Sequence, residues 1–205
     1  MNCYSYKITR DYGFAPNPFF GYCTLACCKP DIRKKAEVGD WIIGTGAIEN
    51  GLLNHLIYIM QVSEKIRFQD YWTDNRFARK KPVLIGSLKQ IHGDNIYYKD
   101  DNQWYQLNSH HSHHEGKVNQ DNLKQDLRGE FVLVSNHFYY LGSNHIKVPT
   151  KFIELCPNKT QRNYIQISNL NLINEFIEYI TTNYDKGVIG EPNNWNEYKQ
   201  LALQM

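Results

Sequence analysis

No apolar run in the 205-residue sequence approaches the roughly 20 residues that cross a bilayer; Leu52-Leu53 and Leu56 to Met60 fall far short. The opening residues, Met1-Asn2-Cys3-Tyr4-Ser5-Tyr6-Lys7, lack a basic segment followed by an apolar one. No secretory signal is expected, and the chain reads as soluble and cytoplasmic. Charge of one sign is also missing: 23 Lys and Arg stand against 21 Asp and Glu, a formal net charge of +2. That excludes a polybasic clamp with a dense phosphate-neutralising surface, but not a pocket with a few placed cations. There is no internal repeat, Gly/Ser linker, phosphate loop, nucleophile elbow or paired-carboxylate signature. Cysteine pairs at zinc spacing are lacking as well. Cys23, Cys27 and Cys28 lie close together, but the only distant partner is the isolated Cys156. The cysteines read as reduced, buried thiols.

What the sequence has in quantity is aromatics: 15 Tyr, 9 Phe and 4 Trp. They favour a sheet-rich core and leave rings to spare for stacking. Strands are expected at Tyr4 to Thr9, across Trp41 to Gly46 and at Leu56 to Val62. Others are expected at Ile96–Tyr98, Trp104–Leu107, Glu130–Ser135, Phe138–Leu141 and Ile146–Val148. Pro30 and Asp31 suit the first turn of a short helix ending in Arg33-Lys34-Lys35. Leu170, Ile173, Ile177 and Ile180 repeat at helical spacing behind a Ser168 or Asn169 cap, and a last helix is expected from about Trp195 to Leu203. The polar stretch Asn108 to Arg128 reads as a long loop. The sum is an α+β protein.

Four clusters carry candidate chemistry. Gly44-Thr45-Gly46 follows a buried strand, where missing side chains let a flat ring or phosphate approach the backbone; a glycine bend explains it equally. Phe14-Ala15-Pro16-Asn17-Pro18-Phe19 offers two aromatic faces and an amide between stiff prolines, or a loop that merely caps the core. Trp72, Asp74 and Arg76 alternate, so an extended backbone would put a ring, a carboxylate and a guanidinium on one face; a surface ion pair beside a packed Trp is the plainer account. His110, His111, His113 and His114 precede Glu115, and imidazoles serve as acid–base groups or metal ligands.

Several blocks together resemble the nucleotide modification associated domain 2 family. They are Asp11-Tyr12-Gly13-Phe14-Ala15-Pro16-Asn17-Pro18-Phe19, Gly21-Tyr22-Cys23-Thr24-Leu25-Ala26 with Cys28-Lys29-Pro30 and Ile32-Arg33, and Gly39-Asp40-Trp41-Ile42-Ile43-Gly44-Thr45-Gly46. Tyr71-Trp72, Asp74, Arg76-Phe77, Gly93-Asp94-Asn95-Ile96-Tyr97 and Ser109-His110-His111-Ser112 continue the series. The chain has Asn108 where the family pattern places Asp before Ser-His-His. The resemblance implies a place in DNA-modification or phage-defence systems. The order of turn, apolar strand, small residues and aromatic excursion is also similar to EVE and other PUA-like domains, small barrels that hold a modified base.

These resemblances imply a small PUA/EVE-like β-barrel with flanking short helices over residues 1–150, and a helical C-terminal extension over 151–205 packed on it. The implied function is binding of a nucleobase or nucleotide, free or in DNA, in an aromatic pocket. Phe14, Phe19 and Trp72 would stack the base. Asn17, Thr45 and the backbone at Gly46 would read its edge, and Lys7, Arg33 and Arg76 would meet phosphate, with Asp74, His110 and His111 lining the pocket. Two alternatives stay open: an enzyme using His110 or His111 as acid–base group or metal ligand with Asp74 as orienter, and a protein–protein adaptor in such a system. No cofactor is called for; a divalent metal at the histidine cluster is the alternative.

Overall fold

The computed structural model describes residues 1–202, with side chains described through Tyr198. In chain order the elements are β1 (Cys3–Ile8), β2 (Cys23–Leu25), α1 (Pro30–Lys35), β3 (Trp41–Gly46), β4 (His55–Gln61), β5 (Glu64–Arg67), α2 (Phe68–Thr73), α3 (Leu88–Ile91), β6 (Tyr97–Asp100) and β7 (Gln103–Gln106). Then come α4 (Gln120–Leu127), β8 (Phe131–Ser135), β9 (His137–Tyr140), β10 (Ile146–Lys147), β11 (Tyr164–Ile167), α5 (Leu170–Asn183), β12 (Gly187–Val188) and α6 (Trp195–Ala202). Leu203, the end expected for the last helix, lies outside the described residues. The α+β class holds, and the chain divides into two compact units.

The first unit comprises residues 1–12, 36–63 and the chain from Asn136 onward. Its sheet has seven strands in the order β11-β1-β3-β4-β9-β12, with β10 beside β4. β1 runs parallel to β3 and antiparallel to β11, while β3, β4 and β9 are successively antiparallel. The apolar run Trp41-Ile42-Ile43 makes β3 a central strand buried on both faces. Helix α5 presents Ile173, Phe176 and Ile180 to Ile43, Ile59, Tyr139 and Phe152, and its start is fixed by the Asn169 side chain accepting from the Leu172 amide at 3.2 Å. The described residues after 150 thus supply both end strands, β11 and β12, and a covering helix to the sheet of β1. The expected barrel is not formed. Among the described residues no ladder joins the end strands β11 and β12, because a two-residue strand such as β12 offers too short a ladder to close the sheet.

The second unit comprises residues 13–35 and 64–135. It holds the antiparallel sheet β2-β8-β5 and the hairpin β6-β7. Its core gathers Phe14, Cys27, Phe68, Tyr71, Phe77, Tyr97, Leu123 and Val132. Two local expectations are corrected here. The supposed long loop at 108–128 contains α4, capped by Asn119, whose side chain accepts from the amides of Asp121 and Asn122. Trp72 to Arg76 is not extended: α2 runs into a 3-10 turn at Asn75–Lys80 because the Asp74 carboxylate caps it, accepting from the Arg76 amide at 2.9 Å.

Candidate functional site

Asp126 organises the second unit. It lies on the inner face of α4, is only 1% exposed, and its two oxygens accept three hydrogen bonds and face one guanidinium. Oδ1 accepts from the Cys28 amide at 2.6 Å and faces the Arg33 guanidinium at 3.6 Å. Oδ2 accepts from the Tyr97 hydroxyl at 2.8 Å and lies 2.9 Å from His111 Nδ1. A carboxylate this far from water is tolerated because it is paired and fully hydrogen-bonded. Arg33 comes from α1, is fully buried, and also donates to the carbonyls of Cys28, Phe131 and Asp126 at 2.6–2.8 Å. Burial pulls the proton affinity of this guanidinium below its usual value, and Asp126 opposes that pull.

His111 stands between Asp126 and a thiol. Its Nε2 lies 3.6 Å from Cys28 Sγ, its side chain keeps 16% of its exposure, and Phe14 packs on it with ring centroids 4.7 Å apart. Burial lowers the proton affinity of this imidazole. The hydrogen bonds to Asp126 and Cys28, and their charges, outweigh burial and push the pKa up to about 10. At neutral pH the ring is therefore an imidazolium with each nitrogen aimed at an acceptor. A sulfur, an imidazole and a carboxylate in series form the nucleophile–base–orienter constellation of covalent catalysis.

The ligand-type atoms of Cys27, His111 and Asp126 lie within 4.8 Å of one another. The guanidinium of Arg33 already supplies positive charge at Asp126, so the geometry fits a proton relay better than a cation site. The loop carrying His111 also frames a polar hollow of about 370 Å³, lined by Asn108, Ser109, Ser112, His113, His114 and Glu115. That volume falls within the range of small-molecule sites.

The model of the nucleotide modification associated domain 2 family matches residues 1–199. The chain belongs to this family. No curated protein and no solved structure matches it. Within this chain the Ser109-His110-His111-Ser112 segment is held by its own neighbours. Asn108 Oδ1 accepts from the Ser112 hydroxyl at 3.0 Å, while the carboxylate on His111 is that of Asp126.

Of the twelve residues picked from sequence, the structure brings together Phe14, Arg33, His110 and His111. Arg33 reaches His111 through Asp126, and His110 lies 5.4 Å from the Phe14 ring. Asn17 and Phe19 are buried in the same unit. Asn17 donates to the His92 carbonyl at 2.9 Å and accepts from Lys80 Nζ at 2.7 Å. The fully buried Lys80 belongs, with Asp94, Thr24 and Tyr71, to a second internal polar network. Trp72 stacks on Tyr98 with centroids 4.3 Å apart, and Lys81 Nζ sits 3.6 Å from its ring centroid. Asp74 and Arg76 bind each other, and Arg76 forks onto Glu64 at 2.7 and 2.9 Å.

Lys7, Thr45 and Gly46 belong to the first unit. Lys7 Nζ donates to the carbonyls of Asn158 and Lys159, and Thr45 is 1% exposed. A Cβ on Gly46 would stand 2.3 Å from Leu52, and one on Gly44 2.3 Å from the Tyr58 ring. The space beside both glycines is filled by the protein itself.

Sequence reasoning missed Cys28, Tyr97 and Asp126 as site residues. Cys28 and Tyr97 fall inside the family blocks. Asp126 could have been found from Leu123 and Leu127, whose i, i+4 spacing marks the inner face of α4 and puts residue 126 beside it.

Proposed function

We propose that this chain is an enzyme of a nucleotide-modification system, acting on a nucleotide with His111 as its acid–base group and Asp126 as the orienter of that imidazole. The observation that carries the reading is the 2.9 Å contact of Asp126 Oδ2 with His111 Nδ1, on a ring still partly open to solvent. Fixing one nitrogen defines where the proton on the other is delivered. Membership of a family associated with nucleotide modification supports the substrate class. Phe14 forms an aromatic wall beside the imidazole.

The test pairs binding with turnover. The wild-type protein and His111→Gln are incubated with free nucleotides and short DNA, and the products are followed by mass spectrometry. Conversion by the wild type that His111→Gln lacks, with affinity kept within a few-fold, supports the reading. Equal conversion by both overturns it.

A second reading, nucleotide recognition without chemistry, is favoured by one observation. Trp72, Tyr98 and Tyr105 form a ladder of nearly parallel rings, 4.3 and 5.3 Å between centroids. Base–aromatic stacking is worth roughly 1–3 kcal/mol per base. On this reading Trp72→Ala weakens nucleotide binding about 10-fold or more, His111→Gln leaves binding intact, and no conversion occurs with either protein.

A further inference from the structure

We propose that Cys28 is a covalent nucleophile, paired with His111, that adds to the unsaturated carbon 6 of a pyrimidine base. Three features set this thiol apart. It is half-buried, whereas Cys3, Cys23, Cys27 and Cys156 are buried. Its sulfur faces the imidazole nitrogen left over from the Asp126 contact. Its backbone is held in a left-handed conformation, φ +60°, followed by Lys29 at φ +41°, which side-chain-bearing residues adopt at a cost. Such strain persists only where neighbours fix it. Here the Cys28 amide donates to Asp126 and the Cys28 carbonyl accepts from Arg33, so the buried ion pair holds the residue at both ends.

The other thiols lack this setting. Burial, reinforced by Asp126 and Asp94, pushes the neighbouring Cys27 thiol well above its ordinary range. Burial also pushes Cys156 up to about 12. Cys28 alone among the five thiols is half-buried and has an imidazole nitrogen 3.6 Å from its sulfur, which places a proton carrier beside the attacking atom.

The substrate assignment rests on the nucleotide reading above; the reactivity of Cys28 does not. A thiolate is a soft nucleophile, and the soft electrophile of a nucleotide is the pyrimidine double bond conjugated to a carbonyl or amidine. In the forward step an S–C bond forms at carbon 6, the carbon 5–carbon 6 π pair moves to carbon 5, and the proton on His111 Nε2 is delivered there. In the reverse step a solvent base takes the original hydrogen from the opposite face of carbon 5, since return of the delivered proton to His111 would restore the base unchanged; the double bond reforms and the thiolate leaves. Atoms and electrons balance without any oxidant, reductant or donor, and the visible result is exchange of the carbon 5 hydrogen with solvent.

The experiment has two arms on the full chain. In the first, limiting iodoacetamide and peptide mapping between pH 6 and pH 8 give the alkylation rate of each cysteine. Cys28 should react at least about tenfold faster than Cys3, Cys27 or Cys156. His111→Gln, shown folded by circular dichroism, should slow Cys28 about tenfold at pH 6. Cys28→Ser should remove this label alone. Equal rates for Cys28 and the buried thiols, or no effect of His111→Gln, overturns the nucleophile.

In the second arm, deoxycytidine and deoxyuridine monophosphates and a pyrimidine oligonucleotide are held with the protein in deuterium oxide. Proton magnetic resonance should show loss of the carbon 5 signal with wild type and not with Cys28→Ser. Fast alkylation without exchange overturns the pyrimidine assignment. Failure of the first arm while His111→Gln still abolishes conversion overturns the nucleophile and leaves the acid–base reading standing.

Discussion

Replacing Asp126 by Asn changes one atom and removes one charge, and the four groups around the carboxylate decide its effect. The Cys28 amide and Arg33 approach Oδ1, and the Tyr97 hydroxyl and His111 approach Oδ2. An amide has one acceptor oxygen and one NH2. With the NH2 on the Oδ1 side it meets the Cys28 N–H and the guanidinium, both of which can only donate. The NH2 therefore takes the Oδ2 side, where the Tyr97 hydroxyl can turn to accept and His111 must give up its Nδ1 proton. Arg33, fully buried, keeps three carbonyl partners and loses its counter-charge. Removing one partner of a buried ion pair costs roughly 3–5 kcal/mol. The retained carbonyl bonds place Asp126→Asn at the lower end, about 3 kcal/mol, or about 100-fold in the folded-to-unfolded ratio. Urea denaturation followed by circular dichroism at pH 7 measures this. Arg33→Gln in the same background should add less than it does alone, because both changes break one pair. A loss below about 1 kcal/mol for Asp126→Asn, or strictly additive costs, would refute a buried Arg33–Asp126–His111 arrangement.

Three further outcomes are expected. Burial, opposed by Asp94 and Cys23, lowers the pKa of Lys80 from 10.5 to about 8. Between those values the unfolded chain binds the proton that the folded chain has released, so stability relative to Lys80→Met should rise with pH across that window. The rise should be roughly 3 kcal/mol, and a flat difference from pH 8 to 10.5 would count against it. A Cβ at Gly129 would stand 2.6 Å from the Arg33 guanidinium carbon, so Gly129→Ala should cost about 1–3 kcal/mol by overpacking, read as a lower denaturation midpoint. Gly44→Ala forces a methyl onto the Tyr58 ring and Ile8 and should destabilise the first unit by a similar amount, visible as faster amide exchange along β3 and β4.

Much of the frame was legible because apolar periodicity reports it directly. The helical repeat of Leu170, Ile173, Ile177 and Ile180 became α5, Asn169 became its cap, and Trp41 to Gly46 became a buried strand. Helix α4 was not legible, since Gln120, Asp121, Asn122, Lys124 and Gln125 read as loop and only Leu123 and Leu127 hint at an inner face. A buried carboxylate is invisible to hydrophobic pattern by its nature. What admits Asp126 to the interior is Arg33, 93 residues earlier in the chain, a pairing no local window contains. His111 was legible as a chemical residue. Its orienter was sought at Asp74, whose charge is taken up by Arg76. The extended reading of Trp72 to Arg76 failed because Asp74 could cap a turn as readily as face a ligand.

The most direct test of the account is the protonation state of His111, followed by nitrogen and proton resonances of its imidazole as pH is varied. An imidazolium held between Asp126 and Cys28 keeps its proton up to about pH 10. It stabilises the fold fully below pH 6.5 and loses that contribution as pH rises through about 10. The account predicts two protonated ring nitrogens at neutral pH, with the Asp126→Asn protein losing one of them. An ordinary titration of His111 near pH 6.5, unchanged by Asp126→Asn, would contradict it.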